Sequence, residues 1–373
     1  APFAAARRPG AVEARRRYSW SRRTSFPRPV VGAAGSSRQD VLLSRQGVAC
    51  QAAMVAVVAR REGPVVASGT FAVNFFIVTW VSSMVMPGVA VYLAVWRSWL
   101  FLPLMIGLIS GLAYVPWIRR VDFLAEACFK GVQSAVPRHE VVVEEGGAPS
   151  SGRPRLYAVH PHGIFTLGWA TLFVSELMRD CTFCFAAGLF YSPGFRLFSR
   201  LTGRPASATK GSVKSLLSAG KHIALIPGGF EEATLTERGV DRVFLQHRAG
   251  FLKYCLEAGA DVCPIYAFGE VDFYDNLQGA WRWRLWLNSQ LRLPGVVFWG
   301  RRWFPLAPRI DGSGLVVVVG PPVDLGPRRP NPTPDDVAAA HATYVAALTA
   351  LFDRHKAYAY GPVRGKNATL HVV

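Results

Sequence analysis

Two histidines flank a proline in His160-Pro161-His162-Gly163, just after the apolar run Leu156-Tyr157-Ala158-Val159. An imidazole near its ordinary pKa can take a proton from an alcohol at neutral pH. Pro161 fixes the backbone between the rings, and Gly163 permits close approach of backbone or substrate. A second cluster, Pro227-Gly228-Gly229-Phe230-Glu231-Glu232, follows the apolar run ending at Ile226. Gly228 and Gly229 can turn tightly and present N–H groups to an oxyanion. A carboxylate here, Glu231 or Glu232, can orient His162 and stabilise its imidazolium. A third region, Arg248-Ala249-Gly250-Phe251-Leu252-Lys253, carries cations suited to a phosphate-bearing cosubstrate, as do Lys210, Lys214 and Lys221. Each cluster also has a plainer reading: structural histidines, a strand-to-helix turn with solvated acids, and surface cations.

Other chemistries find less support. Cys181 and Cys184, with His160 and His162, match zinc ligands by type, but the CTFCF segment is apolar and no second Cys-x-x-Cys exists. The expectation is therefore no metal and no cofactor. No serine sits in a G-x-S-x-G elbow, and no phosphate-loop or dinucleotide fingerprint occurs.

These groups need a scaffold that brings strand ends together. Leu156–Val159, His222–Ile226, Val262–Phe268 and Leu315–Val319 read as strands, with Pro264 arguing for an edge or a strand end. Ile164–Met178 and Phe251–Ala258 read as helices, the second stopped by Gly259. Thr333-Pro334-Asp335-Asp336 starts a further helix that should run to about Lys356. Strands alternating with helices predict an α/β layered domain over 121–373, with sites at the carboxyl ends of its strands.

The rest of the chain is unlike an ordinary water-soluble enzyme. Hydrophobic residues make up 51% of its 373 positions and charged residues only 18%, against about 25% in typical soluble chains. Residues 1–61 hold twelve arginines against two acids, a net +10 of the chain's +18. Residues 1–64 read as a disordered leader, with lipid binding, nucleic-acid binding and a transit peptide all open. Thr70–Val95 and Trp99–Ile118 carry no charge and are flanked by arginine pairs. Their 26 and 20 positions predict a transmembrane helical hairpin within 65–120, kinked or re-entrant at its prolines. Five tryptophans interleave with arginines over 281–303, a mixture suited to lipid headgroups or to stacked single-stranded nucleic acid. Beside a hairpin the lipid reading is preferred, and no nucleic-acid partner is expected.

The strings YAVHPHG (157–163), PGGFEE (227–232), HRAGFLKYCLEAGADVCPIYAFGE (247–270) and HATYVAALTALFDRHK (341–356) resemble, in that order, the type-2 diacylglycerol acyltransferase family. The resemblance covers roughly 65–360. It implies a membrane-anchored acyltransferase-like α/β domain, with a mixed central sheet flanked by helices and preceded by the hairpin. It implies transfer of a fatty acyl group from acyl-CoA to diacylglycerol at the endoplasmic reticulum membrane. The protein would be multi-pass with its active domain in the cytosol, or in a plastid envelope if the leader is a transit peptide. His162 would be the catalytic histidine, with His160, Pro161 and Gly163 in the same motif and Glu232 the family's glutamate after two glycines. Phe101, Leu102 and Leu104 look like the family's F-L-x-L neutral-lipid pattern, and acyl-CoA contacts would fall to Arg248, Lys253 and Lys210. Three departures stand out: no Tyr-Phe-Pro upstream of HPHG, Ala249 in place of a basic residue, and Thr166 where glycerophosphate acyltransferases carry aspartate. Monoacylglycerol or a long-chain alcohol remain alternative acceptors, a homo-oligomer stays open, and a non-catalytic lipid-binding tether is the reading of a different class. The tether predicts no reason for His162 and Glu232 to meet.

Overall fold

Short runs of β-branched and aromatic residues build the centre of the molecule. The structure is a computed structural model, and it describes residues 55–71, 73–75, 77, 78, 82, 92, 101–291, 295–302, 304–312 and 314–373. The strands are β1 (Val55–Glu62), β2 (Arg138–Glu144), β3 (Arg155–His160), β4 (Thr182–Phe185), β5 (Pro205–Ser207), β6 (Ile223–Leu225), β7 (Arg242–Val243), β8 (Asp261–Phe268), β9 (Asp275–Asn276), β10 (Phe298–Trp299), β11 (Leu315–Val319) and β12 (His371–Val372). The helices are α1 (Phe101–Tyr114), α2 (Asp122–Ala135), α3 (Leu167–Val174), α4 (Ala187–Phe190), α5 (Pro193–Thr202), α6 (Lys210–Ser218), α7 (Gly229–Leu235), α8 (Gly250–Ala258), α9 (Trp281–Leu291) and α10 (Pro334–Asn367).

Eight strands form one mixed sheet in the order β1-β2-β11-β8-β3-β6-β4-β5. From β8 to β5 every pairing is parallel, while β11 runs antiparallel to β8. The two-residue period of a strand divides the core in two. Tyr157 and Val159 pack with α2, α3 and α5 on one face, and Leu156 and Ala158 with α6, α8 and α10 on the other. All five residues of β11 are buried, which is what a central strand covered on both faces demands. The mixed sheet between helices is the α/β architecture expected.

Several boundaries differ from the sequence reading. Residues 55–62, counted in the leader, form edge strand β1, antiparallel to β2. Arg61 is tied down there by the carbonyls of Pro64, Gln133 and Val136. The helix expected over 164–178 shortens to α3, because Thr166 at its start adopts a left-handed conformation (φ 53°). Pro264 lies in central strand β8, not at an edge. It faces Gly320 just past β11: the Pro264 carbonyl accepts the Gly320 N–H (2.9 Å), and the reciprocal bond is the single one its missing N–H forgoes. The Thr333 cap forms as a reciprocal capping box with Asp336, and α10 runs on past Lys356 to Asn367 through a break at Gly361.

Much of the expected hairpin, including most of 79–100, lies outside the described residues. Among those described, no helix is long and apolar enough to cross a membrane. Val73 and Ile77, from the first apolar stretch, are buried in the domain core. The carboxyl end of α1 is held by Arg196 and Arg200, which donate to the carbonyl of Ala113, Arg200 also reaching Pro116 and Ile118. The side chains of Phe101, Leu102 and Leu104 lie outside the described residues.

Candidate active site

Three neighbouring parallel strands, β6, β3 and β8, end on one edge of the sheet. The segments that follow them are PGGFEE, PHG and GEV, so the topology brings the first two sequence clusters together and adds a third. The His160–Pro161 bond at the end of β3 is cis.

Glu232 is the hub. It is 2% exposed, and its two oxygens accept the backbone N–H of His162 (2.6 Å) and of Phe244 (2.8 Å). Its carboxyl lies 3.7 Å from the His160 ring nitrogen Nδ1. Burial alone would raise its pKa. The His160 side chain and the two backbone donors outweigh burial and hold the carboxyl below its ordinary range. Gly228 makes room for this arrangement: a Cβ there would sit 2.0 Å from the Glu232 carboxylate. That crowding gives Gly228 a steric job. Gly229 turns the chain at φ +56°.

His162 is 8% exposed. Its Nδ1 lies 2.9 Å from the carbonyl oxygen of Gly163. A carbonyl only accepts, so Nδ1 carries the proton and Nε2 keeps its lone pair. Burial pushes the imidazole pKa down, against opposing effects of Gly163 and Glu232, which keeps the ring neutral and able to take a proton. The Glu232 carboxylate therefore does not set the tautomer of this ring, as a triad acid would. Glu232 and His162 do meet, but through the His162 backbone N–H, and the ring is oriented by its own neighbour.

His160 is wholly buried. Its Nε2 lies 3.0 Å from the hydroxyl of Tyr344 on α10. It is enclosed between Tyr344 and Glu232, with its ring turned into the protein at the base of the loop.

Glu270, just after β8, clamps the loop from the opposite side. Its oxygens accept the N–H of Leu167 (2.9 Å) and Gly168 (2.7 Å) at the start of α3. Burial pushes its carboxyl up to about 7, against those two bonds. A Cβ on Gly163, whose φ is +59°, would lie 2.6 Å from Glu270 Cγ, so only glycine fits there. Four residues after His162, Thr166 is buried with its hydroxyl unpaired. Glu270, Tyr344 and the N–H of Phe244 were missed as site groups. For Glu270 a signal existed: an acid just past a predicted strand, as at Glu232.

The cations are less concentrated. Arg248 pairs with Glu231 at 2.5 Å and covers the Phe244 ring at 5.3 Å, so it belongs to this neighbourhood. Lys253 is exposed on α8 and Lys210 at the first residue of α6, and Lys214 pairs with Glu257. A surface cleft of about 630 Å³ is lined by Arg238, Gly239, Asp272, Asp311, Gly312 and Arg364, not by His162. Its charges neutralise one another through Arg238–Asp311 and Arg364–Asp272 pairs, so the strand-end site is the stronger candidate. Cys181 and Cys184 are buried, and burial pushes both thiols up.

A buried carboxylate holding the backbone of a strand-end His-Pro-His-Gly turn, with a neutral base inside it, is an arrangement for proton transfer in an α/β domain. The diacylglycerol acyltransferase family model matches residues 150–364, and the chain belongs to that family. Human acyl-CoA wax alcohol acyltransferase 2 is 30% identical over 224 residues, covering 55% of this chain and 66% of that protein. Bovine diacylglycerol O-acyltransferase 2 is 32% identical over 229 residues (55% and 62%), and human 2-acylglycerol O-acyltransferase 3 is 32% identical over 225 (55% and 65%). The chain thus spans under two thirds of each relative's length. The 1-acyl-sn-glycerophosphate acyltransferase structure from Thermotoga maritima matches with TM-score 0.38 and 13% identity over 76% of this chain and 95% of that one.

Proposed function

We propose that this chain transfers a fatty acyl group from acyl-CoA to a free hydroxyl of diacylglycerol, forming triacylglycerol. The observation that carries the reading is the state of His162: its Nδ1–H is committed to Gly163, and its Nε2 lone pair is left for the acceptor. His162 Nε2 takes the hydroxyl proton while the oxygen attacks the thioester carbonyl. The C–S bond then breaks, and the leaving thiolate recovers that proton from His162 as free CoA. General-base assistance of this kind contributes about 10²–10⁴-fold. Glu232 and Glu270 hold the loop that carries the base, and no covalent enzyme intermediate is needed. Gly229 N–H remains a candidate oxyanion donor, and Arg248, Lys253 and Lys210 remain candidates for the CoA phosphates. Membrane residence at the endoplasmic reticulum is part of the same proposal, since the acceptor is a bilayer lipid.

Relatives named for wax alcohol and for 2-acylglycerol acylation support a second acceptor class equally well. Labelled acyl-CoA, supplied to the full chain in lipid-synthesis-deficient microsomes with diacylglycerol, monoacylglycerol or fatty alcohol in turn, decides between them. Triacylglycerol is the expected product. A product from another acceptor changes the substrate and keeps the mechanism, and no product from folded, membrane-bound protein favours the tether.

A further inference from the structure

Helix α9 is built inside out. Its buried side chains are Arg284 and Asn288, both 4% exposed, with Trp281, Leu285 and Leu287 half-buried, while Trp283 and Trp286 face outward at 61% and 55%. A helix facing water normally shows the reverse order. The Arg284 guanidinium is fully engaged, donating to Gly295 O (2.5 Å), Asn276 Oδ1 (2.9 Å), Gly279 O and Thr234 O (both 3.4 Å), and to Leu277 O. Burying an arginine is costly unless its donors are satisfied in this way. The protein thus uses a polar anchor to keep an aromatic face turned outward.

That face does not stop at the helix. Leu277 donates its N–H to Val297 O (2.8 Å), and β10 pairs with β9, so residues 295–302 lie alongside, with Phe304 bridged to Arg301. They add exposed Val297, Trp299 and Phe304. Arg282 is exposed beside the tryptophans. The anchor also touches the site: Arg284 and Gly295 both bond Thr234, two residues beyond Glu232.

We propose that α9, residues 295–302 and Phe304 form a platform that rests on an anionic lipid surface. Trp283 and Trp286 lie at the headgroup–acyl boundary, and Arg282 lies among the phosphates. Tryptophan with arginine is the composition of that boundary, and the exposed Arg282, with no acid on α9, complements anionic headgroups. The proposal rests on the reading that the acceptor is a membrane lipid. Through Thr234, the platform holds the Glu232 motif at the surface from which that lipid comes.

The test is hydrogen exchange on the full chain, with and without vesicles of phosphatidylcholine containing one-fifth phosphatidylserine. Wild type is compared with a Trp283→Ser/Trp286→Ser double variant, both positions being exposed and outside the core. Vesicles should slow exchange across 281–304 in wild type but not in the variant. The variant should also show a KM raised about tenfold or more for acceptor presented in vesicles, with KM unchanged for a short-chain, water-soluble acceptor. Vesicle-bound protein with unchanged exchange over 281–304 overturns the proposal. So does protection that persists in the variant, or protection that grows with protein concentration without lipid, which would make the occupant a second copy. The exchange arm needs no turnover, so a chain inactive on every acceptor defeats the functional reading and leaves this test standing.

Discussion

Replacing Glu232 by glutamine separates two roles that a buried acid beside a catalytic histidine can have. The amide keeps the shape of the carboxylate but has one acceptor oxygen. Two backbone donors need it, His162 N–H at 2.6 Å and Phe244 N–H at 2.8 Å. Whichever way the amide turns, one buried N–H then faces an NH₂ group. An orphaned buried donor costs about 1–3 kcal/mol. At about 2–4 °C per kcal/mol, the expected fall in Tm for Glu232→Gln is about 4 °C. The depressed Glu232 carboxyl stabilises the wild-type fold above its unfolded value of 4.5, and that contribution is lost as pH falls through the folded value. The variant should therefore show a flatter loss of stability in acid. The His162 ring keeps its bond to Gly163, so its tautomer survives. Turnover should fall by about 10²-fold through displacement of the loop. Differential scanning calorimetry from about pH 2 to 8, with acyl-transfer rates at neutral pH on the same preparations, checks both. An unchanged Tm with turnover down about 10⁴-fold, the size expected when a base loses its orienting acid, would refute the reasoning and restore Glu232 as a ring partner.

Three further perturbations have defined outcomes. Because burial lowers the His162 pKa and the neutral ring is the base, kcat/KM should rise with pH through a midpoint below the ordinary value of 6.5; a midpoint at or above 6.5 contradicts this. Glu270, raised from 4.5 to about 7, keeps its proton after the unfolded chain has released it. Its contribution is fully present below 4.5 and lost as pH rises to 7, about 3 kcal/mol in all, so Glu270→Gln should remove that slope from the stability profile. Tyr344→Phe leaves His160 Nε2 without its 3.0 Å partner and should cost about 1–3 kcal/mol by denaturant unfolding.

The sequence exposes the strand-end motifs because their chemistry is local. Apolar runs ending at His160 and near Pro227 predict β3 and β6, and parallel pairing then forces PHG and PGGFEE together. What a one-dimensional reading misses is the direction in which groups bond. Glu232 and His162 were expected to meet side chain to side chain, yet the contact runs through a backbone N–H, which no residue pattern records. The second acceptor bond depends on Phe244, placed by the two-residue strand β7, too short to leave a periodic signal. Tyr344 sits on a helix whose start the Thr333-Pro334 signal predicts, but its pairing with His160 spans 184 positions. Arg284 and Asn288 defeat pattern reading for another reason: the Trp/Arg composition of α9 is visible, but which of the two faces inward is set by the carbonyls of residues 277, 279 and 295.

The most direct test of the account is turnover of His162→Ala beside wild type, with labelled acyl-CoA and diacylglycerol, on samples of matched Tm and membrane content. The account predicts triacylglycerol from wild type and a loss of about 10²–10⁴-fold in the variant. Wild-type turnover by His162→Ala would remove the proposed base and the site built around it.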